Sequence, residues 1–351
     1  MKGSVFLLPV CAVALGALVA VGAGGGAAQA APRVAPAAHS FTLYAVPKLR
    51  GFVNNEDDRA RGLGNNPFGN YAGAVASSQL TNDRLLGPFP GDEGIFTYTV
   101  YSNAAHTDRI GTALLICQYG FKRNAWCDAS YQLKDGLLIG AGATNAHSTS
   151  FALRLTGGTD SYSAMKGIVH ASLKGLPYSP AYLALEPQRL AFAIKPASAT
   201  ATPNTNTFYS LVTEEQFIDN GDDEARGYAE NPFEIHDSGL QASEDEDKNG
   251  PYPGDEAVFL FNVYSDHSLK KKVGWATYTC QYSFDRNAFC DAAYELDGGT
   301  MTGAGSFSFN APTFRMAITG GTGSYAASSG EIEATPSGKA AQRLVLSVVK
   351  P

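Results

Sequence analysis

The sequence predicts an all-β protein built from two tandem eight-stranded antiparallel β-barrels. Three observations predict it. From Pro90 to Tyr162 the chain repeats itself without a gap: Pro90, Cys117 and Cys127 recur 163 residues later as Pro253, Cys280 and Cys290. The repeated unit breaks into about eight short runs rich in β-branched and aromatic residues, bounded by Gly, Asn, Asp and Pro. No stretch carries a long apolar period of 3.6 residues, so helices are not expected.

The length fits that division. At roughly 100–200 residues per domain, 351 residues make about two domains. Hydrophobic residues are 44% of the chain, enough for each half to bury a core, and the composition is that of a globular protein. The net charge is −7 and the pI about 5.4. A chain with no basic field has nothing to replace phosphate counterions, which argues against nucleic acid as a partner.

The first 30 residues read as a secretory signal peptide. Lys2 gives a positive start, Val5 to Val21 is almost wholly apolar, and Ala28-Gln29-Ala30 supplies a small-residue cleavage pattern. A permanent anchor is the rival reading, and the Gly-rich break after Val21 argues against it. No later segment is long and apolar enough to span a bilayer as a helix. The expected location is therefore outside the cell.

The repeat then sets the domains. PGDEGIFTYTVYS is answered by PGDEAVFLFNVYS, ICQYGFKRNAWCDASYQL by TCQYSFDRNAFCDAAYEL, and FALRLTGGTDSY by FRMAITGGTGSY. ARGLGNNPF at 60–68 is answered by ARGYAENPF at 225–233, and Gln188-Arg189-Leu190 by Gln342-Arg343-Leu344. Barrel one is placed at 38–195 and barrel two at 207–351. Between them, 196–206 is a polar Pro/Thr/Ala linker. A period this long means two similar domains and not a solenoid.

In the second copy the strands are expected at 208–218, 258–264, 275–284, 288–296, 300–309, 314–319, 325–334 and 343–349. Eight short antiparallel strands favour closure, because a barrel has no exposed edge. A two-sheet sandwich is the alternative. An eight-stranded barrel holds either packed side chains or one small ligand.

Four cysteines remain after the signal segment. An even number in an exported chain points to disulfides. Cys280 and Cys290 flank a turn near Asp285-Arg286-Asn287, where ten-residue spacing sets them opposite each other on adjacent strands; Cys117 and Cys127 repeat the arrangement. A free reactive thiol at Cys117 or Cys280 is the rival. The pairs are not CxxC and lack a histidine cluster, so zinc is not expected.

The second copy resembles the allene oxide cyclase family, whose barrel is shared with plant dirigent proteins. The likeness lies in Asn262 through Gly274 (NVYSDHSLKKKVG) leading to Cys280, in Phe314 through Ile332 (FRMAITGGTGSYAASSGEI), and in Asn55-Glu56-Asp57-Asp58-Arg59 with Arg61-Gly62. It covers most of each copy. The resemblance implies a barrel around an apolar pocket. The cyclases close an unstable fatty-acid epoxide to a cyclopentenone there, with an ordered water and few polar groups. Dirigent proteins steer phenoxy-radical coupling. Family members often form trimers, which makes a homo-oligomer an expectation.

The family's polar residues carry over sparsely. Its glutamate falls on Val53 or Ile218, and its strand-two asparagine on Tyr98 and Phe261. Its pocket cysteine falls on Cys117 and Cys280, and its serine-proline on Asn66-Pro67 and Asn231-Pro232. The oxocation-stabilising carboxylate is thus missing from its family place, although such electrostatic stabilisation is usually the largest catalytic contribution. Asn55 and Asn220 are the remaining polar candidates for catalysis. Tyr98, Phe261, Pro67 and Pro232 are expected in the wall of any pocket.

Other constellations read as structure. Gly157-Gly158-Thr159 and Gly320-Gly321-Thr322-Gly323 lack the following helix of a phosphate loop, and are expected to be tight turns with positive φ. Asp245, Asp247, Asn249 and Glu256 match a calcium-loop spacing, but Pro251 and Pro253 interrupt it and flanking helices are missing. Glu93 and Glu256 follow Pro-Gly-Asp and are expected to open strand two at the barrel rim. No cofactor is called for. Three readings stay open: a binding barrel for an apolar lipid-derived or phenolic molecule, an isomerase or dirigent-like director, and a structural protein with filled barrels.

Overall fold

A computed structural model of the chain describes residues 38–53, 90–145, 148–173, 186–197, 203–218, 251–338 and 341–350. The first barrel runs β1 (His39–Val53), β2 (Glu93–Tyr101), β3 (Arg109–Tyr119), β4 (Asn124–Leu133), β5 (Gly136–Asn145), β6 (Ser150–Gly158), β7 (Met165–Leu173) and β8 (Gln188–Pro196). The second runs β9 (Asn204–Ile218), β10 (Glu256–Tyr264), β11 (Lys272–Tyr282), β12 (Asn287–Leu296), β13 (Gly299–Ser308), β14 (Phe314–Gly321), β15 (Ser329–Pro336) and β16 (Ala341–Val349). Within each barrel every strand pairs antiparallel with its chain neighbours. β1 closes on β8 and β9 on β16, so both sheets are closed barrels.

Strict alternation builds the interior. In β8, Gln188, Leu190, Phe192 and Ile194 are buried while Arg189 and Lys195 face solvent. In β16, Leu344, Leu346 and Val348 do the same inward work. A period of two puts every other side chain on the core face.

The cysteines sit as the hairpins predict. Cys117 pairs with Cys127, and Cys280 with Cys290, directly across β3–β4 and β11–β12. Both pairs are disulfides, with Cα atoms 4.1 and 4.0 Å apart. The turns between them are short 3-10 segments that place Lys122 and Asp285 at positive φ.

The glycine pairs correct an expectation. Gly157, Gly158, Gly320 and Gly321 do not have positive φ; only Gly323 in that group does, at +54°. Gly157 is required for another reason. A Cβ there would lie 3.0 Å from the Ala317 Cβ and 3.0 Å from the Ile318 carbonyl oxygen of the other barrel. The missing side chain lets the barrels touch.

They touch through a dry patch within one compact unit. The first barrel offers Val53, Ile95, Leu114, Ile116, Leu137 and Ile139; the second offers Phe284, Phe289, Ala304 and Ala317. The two sides use matching strands, β5 and β6 against β13 and β14, and bring Glu93 near Glu256 and Asp128 near Asp291, but they are filled unequally. The first-copy counterparts of Phe284 and Phe289 are Phe121 and Trp126, which are 56% and 54% exposed. The second-copy counterparts of Leu114, Ile116 and Ile139 are Thr277, Thr279 and Thr302. The contact therefore pairs equivalent strands but fills its two sides with different side chains. At its edge the Gln132 amide donates to the Ser306 carbonyl at 2.8 Å, the Asp160 N–H donates to Glu331 at 2.7 Å, and Arg315 bridges Asp160 and Glu333.

Candidate functional site: an aromatic cavity in the second barrel

One end of the second barrel opens into a cavity of about 190 Å³. Inward positions of five strands build it: Val212 of β9, Phe259 and Phe261 of β10, Tyr278 and Cys280 of β11, Phe307 of β13, and Phe314 of β14. The β13–β14 connection adds Phe309, Ala311 and Pro312, and β16 adds Gln342. Phe307 stacks on Phe314 at 4.2 Å, Phe261 lies 4.7 Å from Tyr278, and Phe309 stacks on Tyr282 at 4.8 Å. Two of these ring pairs are stacked and the third is tilted.

Deeper in, the Tyr278 and Tyr294 hydroxyls hydrogen-bond to each other. Burial holds both phenols well above the usual tyrosine range. Both stay protonated at neutral pH, so they act as hydrogen-bonding groups and not as bases. Among the described residues no carboxylate and no cationic side chain lines this cavity.

The first barrel is filled where the second is open. Its corresponding interior space, bounded by Tyr98, Leu115, Tyr131, Phe151 and Leu190, is about 10 Å³. Phe192 stacks on Phe41 at 4.7 Å and meets Tyr131 edge-on at 5.1 Å. The counterpart of Phe192 is Leu346. The buried Gln188 amide donates to the Tyr98 hydroxyl at 3.2 Å and ties the interior together. A hollow of about 80 Å³ lies between the barrels, edged by Lys48, Tyr98, Ser130, Asp285 and Ser306. A further depression of about 350 Å³, rimmed by His39, Asp135 and Ser161, opens at the other end of the first barrel.

The sequence-derived candidates are distributed unequally. Phe261 lines the aromatic cavity. Tyr98 borders the packed interior of the first barrel and the hollow between the barrels. Asn55, Asn220, Pro67 and Pro232 lie outside the described residues, as do Asp245, Asp247 and Asn249. Glu256 opens β10, and among the described residues no group of three acidic, cysteine or histidine side chains is placed to hold a metal.

Glu93 opens β2 as expected, but it is buried at the meeting of the barrels. Gln281 of the second barrel donates to its carboxylate at 2.8 Å, and its other oxygen has no hydrogen-bond partner. Burial, reinforced by the negative charge of Glu256, pushes its pKa up to about 8, against the lowering effect of Gln118 and Gln281. Two features escape a reading of the sequence alone. Phe307, Phe309 and Phe314 stand out along the chain as an aromatic cluster around the β13–β14 turn, but their role as the mouth of a cavity shows only in the closed barrel. The apolar outward face of β3 is visible in Leu114 and Ile116, both placed where a lone barrel would meet water.

No protein-family model matches the chain, and no curated protein matches it in sequence. Among solved structures, a pyocyanin demethylase is similar to it with 21% identity and a TM-score of 0.30, covering 41% of this chain and 99% of its own. The pterocarpan synthase dirigent protein GePTS1 is similar with 17% identity and a TM-score of 0.28, covering 43% of this chain and 86% of its own. The all-β architecture of two closed eight-stranded barrels rests on the chain's own strand pairing.

Proposed function

We propose that this is an exported binding protein whose second barrel takes up one flat, apolar small molecule. The observation that carries the reading is the ring-lined cavity of about 190 Å³ in the second barrel, set against about 10 Å³ in the first. Cavities that are mostly apolar with a few polar groups are the usual form of small-molecule sites. Walls of Phe259, Phe261, Phe307 and Phe314 favour a ring-bearing, phenolic type of ligand over a flexible fatty chain, since aromatic faces gain beyond their buried area. With no ionisable carboxylate or cation in the described lining, binding is better supported than acid–base turnover. The leader-like first 30 residues and the two disulfides support export.

The test is a fluorescence titration of the full mature chain with the neutral probe N-phenylnaphthylamine. Saturable, one-site enhancement is expected. Ser308→Trp, which places an indole at the cavity wall, should weaken it at least tenfold while leaving the circular dichroism spectrum unchanged. A wild-type protein that fails to bind the probe, or a Ser308→Trp variant that binds it as well as the wild type, overturns the reading.

A further inference from the structure

We infer that Gln342 is the polar reader of the second barrel, donating its side-chain amide hydrogens to an acceptor oxygen on the ligand. The inference rests on the binding role proposed above and adds the ligand's chemical class: a ring system carrying a carbonyl, ether or phenolic oxygen.

The two copies of the repeat carry the case. In the first barrel Gln188 pairs with Ala45 across β8 and β1, and its amide donates to the Tyr98 hydroxyl at 3.2 Å. Donor and acceptor are both buried, and the pair spends the amide inside the protein. In the second barrel Gln342 pairs with Ser210 across β16 and β9 at the matching place. The residue matching Tyr98 is Phe261, which has no oxygen to accept.

The amide is not simply abandoned. Ser210 stands where the first barrel has Ala45, and its hydroxyl donates to Gln342 Oε1 at 3.5 Å. That contact fixes the carbonyl end. Among the described residues the NH₂ end has no acceptor, and Gln342 lies in the wall of the aromatic cavity. A carboxamide donor in an apolar site favours a ligand that completes its hydrogen bond, and penalises one that excludes water and supplies nothing. Two coupled changes, Tyr98 to Phe261 and Ala45 to Ser210, therefore turn an internal tie into a ligand contact.

Acetylnaphthalene and ethylnaphthalene separate the possibilities, because they match in shape and differ in the acceptor oxygen. Each is measured by displacement of N-phenylnaphthylamine from the full chain. The wild type should prefer acetylnaphthalene by about three- to tenfold, the reach of one net hydrogen bond. Gln342→Leu should remove that preference while ethylnaphthalene stays within about twofold. Phe261→Tyr should remove it too, by rebuilding the first barrel's tyrosine–glutamine pair, and it does so with Gln342 intact should the leucine variant fold poorly. Equal wild-type affinity for the two compounds overturns the inference and leaves the binding role standing. Parallel loss of both compounds in Gln342→Leu, with preference kept in Phe261→Tyr, also overturns it. Failure of the parent probe to bind the wild type removes the binding role and the inference with it.

Discussion

Phe284 and Phe121 occupy the same position of the repeat, yet Phe284 is 3% exposed against the first barrel and Phe121 is 56% exposed to solvent. One sequence position thus has two environments, because the contact between the barrels fills its two sides with different side chains. Phe284→Ala should cost about 3–5 kcal/mol, the range for emptying a buried phenylalanine site. Phe121→Ala should stay within about 0.5 kcal/mol of wild type. Urea denaturation of the two variants measures the contrast, and equal costs would mean that the barrels do not dock through this face.

Glu93 should make stability fall towards alkaline pH. Its carboxyl titrates at 4.5 when unperturbed and at about 8 when folded, so the folded state binds the proton more tightly. That contribution is complete below pH 4.5 and is lost as pH rises through about 8. Glu93→Gln keeps the shape and removes the titration. Its melting temperature should decline less than that of the wild type across this interval, and the variant should be the more stable one at the alkaline end. Parallel pH profiles would place the carboxylate in water.

The two disulfides close loops of the same ten-residue separation. Replacing either pair by alanines should cost about 2–3 kcal/mol in the chain-entropy description. The Cys280–Cys290 variant should also loosen the aromatic cavity, because Cys280 lines it. Probe affinity should then fall in that variant and hold in the Cys117–Cys127 variant, where the interior is packed.

Phe192 should help pack the interior of the first barrel through its contacts with Phe41 and Tyr131. Phe192→Leu gives it the residue found at Leu346 and removes the stacking on Phe41. A cost of about 1–3 kcal/mol is expected, smaller than for alanine because leucine refills part of the space. Thermal denaturation provides the measurement. A neutral outcome would show that the first interior collapses onto the smaller side chain.

The repeat, the strand count and the cysteine pairs are legible along the chain. Alternation in segments such as Arg343 to Val348 and the ten-residue cysteine spacing are local consequences of strand and hairpin geometry. Phe261 as a pocket residue comes from the family resemblance, which sets it at the place of the strand-two asparagine. Other features arise only from how strands and faces assemble. Whether a barrel is hollow depends on the summed volume of side chains arriving from eight strands, so Tyr98 against Phe261 matters only after closure. Whether Glu93 sits at a wet rim or in a dry seam depends on which outward faces meet. Leu114 and Ile116 against Thr277 and Thr279 hold that information, but their meaning emerges only when the second barrel covers the first: burial is a property of the assembled surfaces and not of any single strand.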